Sequence, residues 1–217
     1  MLNGHGASKC FAFMLCLALL AGCASKTVLV RVPPQIDMSA YQTTGIVEFT
    51  SNADPALGQH AARQFQESVQ AAQPGTRFIE LGTRDEVLEA IGARQFDAQA
   101  IRKIGAKYAV DAVFVGDLIY SEPKFEINVI DPLRMQGAFK AEIKGDISSK
   151  LLETKSGASV WSSSAWAKRQ LGSVRVSAET GVSGRVTSSN PRNEMVPDMV
   201  HHLTHAFRPT STRQRVE

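Results

Sequence analysis

The sequence predicts an α/β (α+β) domain, a mixed β-sheet flanked by helices in the order β-α-β-α-α-β, followed by a β-hairpin and a C-terminal helix. Three observations lead there. Short apolar runs bounded by turn formers alternate with stretches whose apolar residues recur at helical spacing between Thr44 and Tyr120. From Phe139 to Thr154 the period changes to strict alternation, with Ile143, Gly145, Ile147, Ser149 and Leu151 on one side and Glu142, Lys144, Asp146, Ser148 and Lys150 on the other. A last helical pattern, Met195, Met199, Leu203 and Phe207, opens at Asn190-Pro191 and stops at Arg208-Pro209.

In chain order, Phe11 to Leu20 is an apolar run preceded by a single charge, Lys9, and followed by Leu20-Ala21-Gly22-Cys23. A cationic start, an apolar stretch too short to span a bilayer and small residues before a cut describe a secretory signal. A cysteine at the cut predicts a lipobox. Leu20, Ala21 and Gly22 are then the signal-peptidase recognition residues, and Cys23 the acylated N-terminus. Residues 1–22 are thus predicted as signal peptide, 23–42 as lipidated tether, 43–209 as one periplasmic domain and 210–217 as a frayed tail. Acyl chains on Cys23 make membrane lipid the first partner. Ala24 follows the cysteine in place of the Asp that holds enterobacterial lipoproteins in the inner membrane, so the outer membrane is expected.

Within the tether Val28-Leu29-Val30-Arg31-Val32 has strand character, and Pro33-Pro34 stiffens the path. Thr44 to Phe49 reads as a buried strand. Asp54-Pro55 caps a helix that carries Leu57, Ala61, Phe65 and Val69, and Pro74-Gly75 stops it. Arg77 to Leu81 is a second strand. Thr83 and Glu86 make a capping box before Val87, Leu88 and Ile91, and Asp97 caps a helix with Ile101 and Ile104 that Gly105 is expected to close. Val110 to Tyr120 is apolar nearly throughout, as a central strand covered on both faces would be. Lys155-Ser156-Gly157 turns the hairpin, and its return strand carries Trp161 and Trp166, both expected in the hairpin core. Residues 173–190, rich in Ser, Gly, Thr and Val, read as a long loop or weak hairpin.

Composition narrows the function. The chain has 217 residues, 43% hydrophobic and 21% charged, with a formal net charge of +3. Lys and Arg are scattered, so no nucleic-acid partner is expected. Cys10 and Cys16 lie in the signal and Cys23 is the lipid site. The domain therefore has no thiol for a disulfide, a nucleophile or a zinc cage. His201 and His205 are four apart and would share a helix face, with His202 between them, but no acid stands among them as in the zinc-protease motif. A helix-end role is expected, no cofactor is assigned, and a metal-dependent enzyme is the lesser alternative. Ser162-Ser163-Ser164 sits in no nucleophile elbow, and Gly181-Val182-Ser183-Gly184 lacks the spacing of one. Asp111 and Asp117 bracket the central strand, roughly 20 Å apart at about 3.3 Å per residue, too far for an acid/base pair. No enzymatic activity is expected.

Four phrases carry a resemblance. They are Gly45-Ile46-Val47-Glu48-Phe49 leading to Leu57-Gly58, Phe78-Ile79-Glu80-Leu81 before a capped helix with Val87-Leu88, Ile104-Gly105-Ala106-Lys107-Tyr108-Ala109 running into Val110 to Gly116, and Leu151-Leu152-Glu153-Thr154-Lys155-Ser156-Gly157-Ala158-Ser159-Val160-Trp161-Ser162. With the lipobox, their order over residues 23–170 resembles the CsgG-like outer-membrane lipoproteins, which include LpoB and the N-terminal domain of TolB. The resemblance implies a mixed sheet flanked by helices and a scaffolding or secretion role, with self-assembly or an envelope protein as partner. The alternative it brings is an oligomeric secretion pore built from two long hairpins per subunit, for which the candidates are about Lys124 to Lys144 and Ser173 to Thr187. A barrel strand needs ~9–11 residues with one apolar row. Val174, Val176 and Ala178 begin such a row, whereas Thr180 and Val182 to Gly184 do not sustain it, so the sequence predicts no pore.

Overall fold

The computed structural model describes residues 27–131, 136–177 and 181–215. Cys23 and the Leu20-Ala21-Gly22 motif lie outside the described residues. The chain divides into two units. The smaller is an antiparallel pair, β1 (Thr27–Val32) with β10 (Thr210–Arg215), in register Thr27↔Arg215 to Val32↔Thr210. The frayed tail expected at 210–217 is thus a strand over Thr210–Arg215. Its Thr-Ser-Thr-Arg-Gln-Arg sequence has no bulk to signal one, and the ladder's backbone bonds define it.

The larger unit runs from Pro34 to Arg208. It begins within the predicted tether, because Met38 is fully buried in the core and its N–H donates to Gln73 Oε1 at 2.7 Å. Next come β2 (Thr44–Ile46) and β3 (Thr50–Ser51), then helix α1 (Pro55–Ala72). Asp54 caps α1 by accepting from Ala56 N at 2.9 Å, and Pro55 needs no N–H in the first turn. Gly58, Ala61, Ala62, Phe65 and Val69 form the buried stripe of α1, and a Cβ on Gly58 would stand 1.9 Å from the Phe49 carbonyl oxygen.

Strand β4 (Phe78–Glu80) leads to α2 (Arg84–Ala90), whose capping box between Thr83 and Glu86 is complete. The two hydrogen bonds from Thr83 hold the Glu86 carboxyl below its ordinary value. Asp97 caps α3 (Ala98–Tyr108), which buries Ala100, Ile101 and Ile104. Gly105 does not close this helix. The left-handed residue at its end is Ala109, φ 53°, and Gly105 lies inside, where a Cβ would meet Thr154 Cβ at 2.5 Å. Thr154 takes that close seat because its hydroxyl donates to the Val110 and Asp111 carbonyls at 2.7 and 2.8 Å.

β5 (Ala112–Tyr120) is central. It runs parallel to β2 and antiparallel to β7 (Gln136–Glu153), which pairs along its length with β8 (Ser159–Ser177). β6 (Lys124–Asp131) joins the far half of β7, and β9 (Gly181–Val186) the far half of β8, giving the order β4-β2-β5-β7-β8-β9. Helix α4 (Pro191–Leu203) closes the unit with a short 3-10 turn, Thr204–Phe207.

Two cores lie on opposite faces of the sheet. Phe65 of α1 is the hub of the first, with ring centroids 4.9 Å from Phe114, 5.5 Å from Phe49 and 6.1 Å from Phe207. Met195, Met199 and Leu203 of α4 complete it. The second joins Val87, Ile101 and Ile104 to Val113, Val115 and Leu152. Alternate residues of β5 enter alternate cores, so its apolar run covers both faces. The fold is a mixed α/β sheet with helices on each side.

Candidate functional site

The feature that stands out is where the sheet outgrows its helices. On β7, Ile143, Ile147 and Leu151 are buried on the α1/α4 face. Farther out the same face of the same strand carries Phe139 and Ala141, and Phe139 is exposed. Register extends this face across four strands. Phe125 of β6 opposes Ala141, which opposes Gly172 of β8, which opposes Val186 of β9. One row outward, Ile127, Phe139, Val174 and Gly184 align, and beyond it Val129, Gly137, Val176 and Val182. Every one of these twelve positions is apolar or glycine. Phe125 is 75% exposed and Val186 81%.

The opposite face of this ribbon is polar. It presents Lys124, Glu126, Lys140, Glu142, Ser173, Arg175, Ser183 and Arg185. The alternation is kept in phase by a β-bulge at Leu171, since Ala141 pairs with Gly172 while Glu142 pairs with Gln170. If Leu171 paired regularly with Ala141 in place of bulging, Ser173 and Arg175 would turn to the apolar side.

This geometry corrects the expectation that no apolar row is sustained. Residues 173–190 do not form one strand. β8 ends at Ser177, and β9 restarts at Gly181, which takes φ +74°, so Val182, Gly184 and Val186 return along the same face. Gly-Val-Ser-Gly-Arg-Val carries so little bulk that a linear pattern search passes over it. The signal was the even spacing of Phe125-Ile127-Val129 and Val182-Gly184-Val186 on either side of β7 and β8.

The other candidate residues fall elsewhere. Asp111 Oδ2 accepts from Gln42 N and Thr43 N at 2.8 and 3.1 Å, fixing the start of β2. Asp117 binds Arg84 Nη2 at 2.8 Å and accepts from Thr50 Oγ1, and the Arg84 guanidinium lies 5.6 Å from the Phe96 ring centre. Asp111 thus serves a strand start, whereas Asp117 does not bracket the central strand but lies within β5, where it ties the sheet to α2. His201 and His205 do not share a helix face, because α4 ends at Leu203 and His205 belongs to the 3-10 turn. His201 Nδ1 sits 2.7 Å from Arg208 Nη1, a cation where a metal would have to bind. Among the described residues no cluster of three His, Cys, Asp or Glu is arranged to hold a metal. Ser162, Ser163 and Ser164 alternate along β8, and Gly181 to Gly184 lie within β9. Trp161 packs against the first core, but Trp166 is 60% exposed on the opposite face, with Lys144 Nζ 5.8 Å from its ring centre. Sequence reasoning missed His60, whose Nδ1 lies 2.6 Å from Asn193 Oδ1 and ties α1 to α4. It also missed Tyr120, whose hydroxyl donates to the Arg192 carbonyl at 2.8 Å and is pushed up to about 12 by burial.

Among the described residues no helix is long and apolar enough to cross a membrane. No protein-family model matches the chain, and no curated protein matches it. Among solved structures it is similar to the PelC dodecamer from Paraburkholderia phytofirmans at 11% identity and a TM-score of 0.41, over 84% of this chain and 98% of that one. A minor lipoprotein from Acinetobacter baumannii matches at 11% identity and TM-score 0.35, over 80% and 99% of the two chains. The LpoB C-terminal domain from Escherichia coli matches at 8% identity and TM-score 0.34, over 61% and 87%. Superpositions this loose establish no family, and the fold stands on the chain's own geometry.

Proposed function

We propose that this chain is a non-catalytic, acyl-anchored lipoprotein of the bacterial outer membrane, held through Cys23, that self-associates into a membrane-seated β-annulus of the secretion type. The observation that supports this is the twelve-position apolar face that runs past the helices on four adjacent strands. A sheet face on which Phe125, Phe139, Val174 and Val186 are exposed needs lipid or protein against it. The ribbon's outer strands, β6 and β9, have no further partner strand among the described residues. Pairing β9 of one copy with β6 of the next satisfies both edges and closes a ring, the arrangement that lets strands face lipid without orphaned backbone groups. Each row of three alternate residues is ~13 Å long, about the depth of one leaflet.

The test is the assembly state of full-length acylated protein extracted in mild detergent. Rings seen by electron microscopy, lost in the double variant Phe125→Asp with Val186→Asp, are the expected result. Monodisperse monomers from the wild-type chain would overturn the annulus and leave the ribbon as a docking face for another envelope protein. Replacing Cys23 by Ala should abolish acyl labelling; persistent labelling would refute the anchor.

A further inference from the structure

We infer that the polar face of the ribbon is a binding strip for polyvalent anions. Lys140, Ser173 and Arg185 stand side by side on β7, β8 and β9, and Arg175 lies one residue pair farther out, between Ala138 and Ser183. Lys140 and Arg185 are thus two strand spacings apart, ~10 Å, with Arg175 ~7 Å along the central strand. All three side chains are exposed. With Gln170, Ser173 and Ser183 they line a single shallow depression of about 360 Å³.

The balance of charge on this face is what selects an anion. Its described acids are Glu126 and Glu142. Glu142 accepts from Lys168 Nζ at 3.0 Å, and Glu126 stands opposite Lys140. Arg175 and Arg185 have only Ala138, Ser173 and Ser183 as their register partners. Two guanidiniums and an ammonium gathered within one Debye length, with hydroxyl and amide groups between them, suit a ligand with several carboxylate, sulfonate or phosphate groups. The inference rests on the annulus reading for one consequence. If the apolar face meets lipid, this face lines the interior, and each copy adds its three cations to a ring that favours anionic cargo.

The experiment uses full-length protein in neutral detergent and pyranine, a fluorescent dye bearing several sulfonate groups, titrated by anisotropy at low and moderate salt. Saturable binding that weakens with salt, and falls about tenfold in the triple variant Lys140→Gln, Arg175→Gln, Arg185→Gln, is expected. The exchange variant Lys140→Arg, Arg175→Lys, Arg185→Lys should retain it, and Glu126→Gln should tighten it. Equal binding by wild type and triple variant, or binding of the dication methyl viologen as tight as that of pyranine, would overturn the strip. A planar-bilayer arm separates the two readings. Anion-selective conductance lost in the triple variant supports both, and cation-selective conductance overturns the strip. Dye binding that depends on the three cations, in a protein that forms neither rings nor channels, upholds the strip and defeats the annulus.

Discussion

The two ends of β7 and β8 are built from the same alternating pattern and have opposite fates. At the near end Ile143, Ile147, Leu151 and Ala165 are buried under α1 and α4. At the far end Phe139 and Val174 hold equivalent positions on the same face and are exposed. Strand alternation says which side of a sheet is apolar. It does not say what covers that side. In the body the cover is supplied by the chain's own helices, and in the ribbon none of the described helices supplies it.

Substitutions separate the two regions. The largest effect is expected in the body: Phe65→Ala empties the hub of the aromatic cluster and should cost ~3–5 kcal/mol in chemical denaturation, enough to threaten folding. Gly58→Ala comes next. Helix propensity alone would favour Ala by about 1 kcal/mol, but the Phe49 carbonyl leaves no room, and a net loss of ~1–3 kcal/mol in the same assay is expected. A smaller, pH-dependent effect belongs to Tyr120, at the seam between body and ribbon. Its pKa is raised from 10.0 to about 12. The unfolded chain therefore ionises first, and the stability this tyrosine contributes is complete below pH 10 and lost on rising toward 12. Thermal unfolding followed across that window should show the loss in wild type and a shallower one in Tyr120→Phe. The smallest stability effect is expected in the ribbon, where Phe125→Ser with Val186→Ser should move the unfolding midpoint by under about 0.5 kcal/mol per site while abolishing, in the unacylated Cys23→Ala background, flotation with liposomes. A ribbon pair as costly to stability as Phe65→Ala would mean that the two regions share one core.

The body was largely legible in the sequence because its signals are local. Asp54-Pro55, Thr83 with Glu86, and Asp97 each cap the helix they were expected to cap. The Val110 to Tyr120 run holds the central strand its apolarity implied, which begins at Ala112. Gly105 misled because a glycine near a helix end has two uses, and here its bare Cα admits Thr154 instead of ending the helix. What could not be read was pairing at a distance. The strand at Thr210–Arg215 exists only because Thr27–Val32 lies beside it. The ribbon's apolar face appears only when four strands are laid in register, since no one of them has more than three residues on it. The histidines of α4 looked like a pair on one face until the helix stopped at Leu203.

The bulge at Leu171 has a consequence for how this chain can vary. Most surface segments absorb the gain or loss of a residue by adjusting a loop. In β8 a single residue inserted after Gly172 would leave the composition almost unchanged yet reverse every later side chain of the strand, carrying Arg175 to the greasy side and Val174 to the wet one, whereas loss of Leu171 would restore regular pairing and leave both where they are. Length here behaves as a phase, and descendants of this gene should tolerate many letters in the ribbon but few changes in their number.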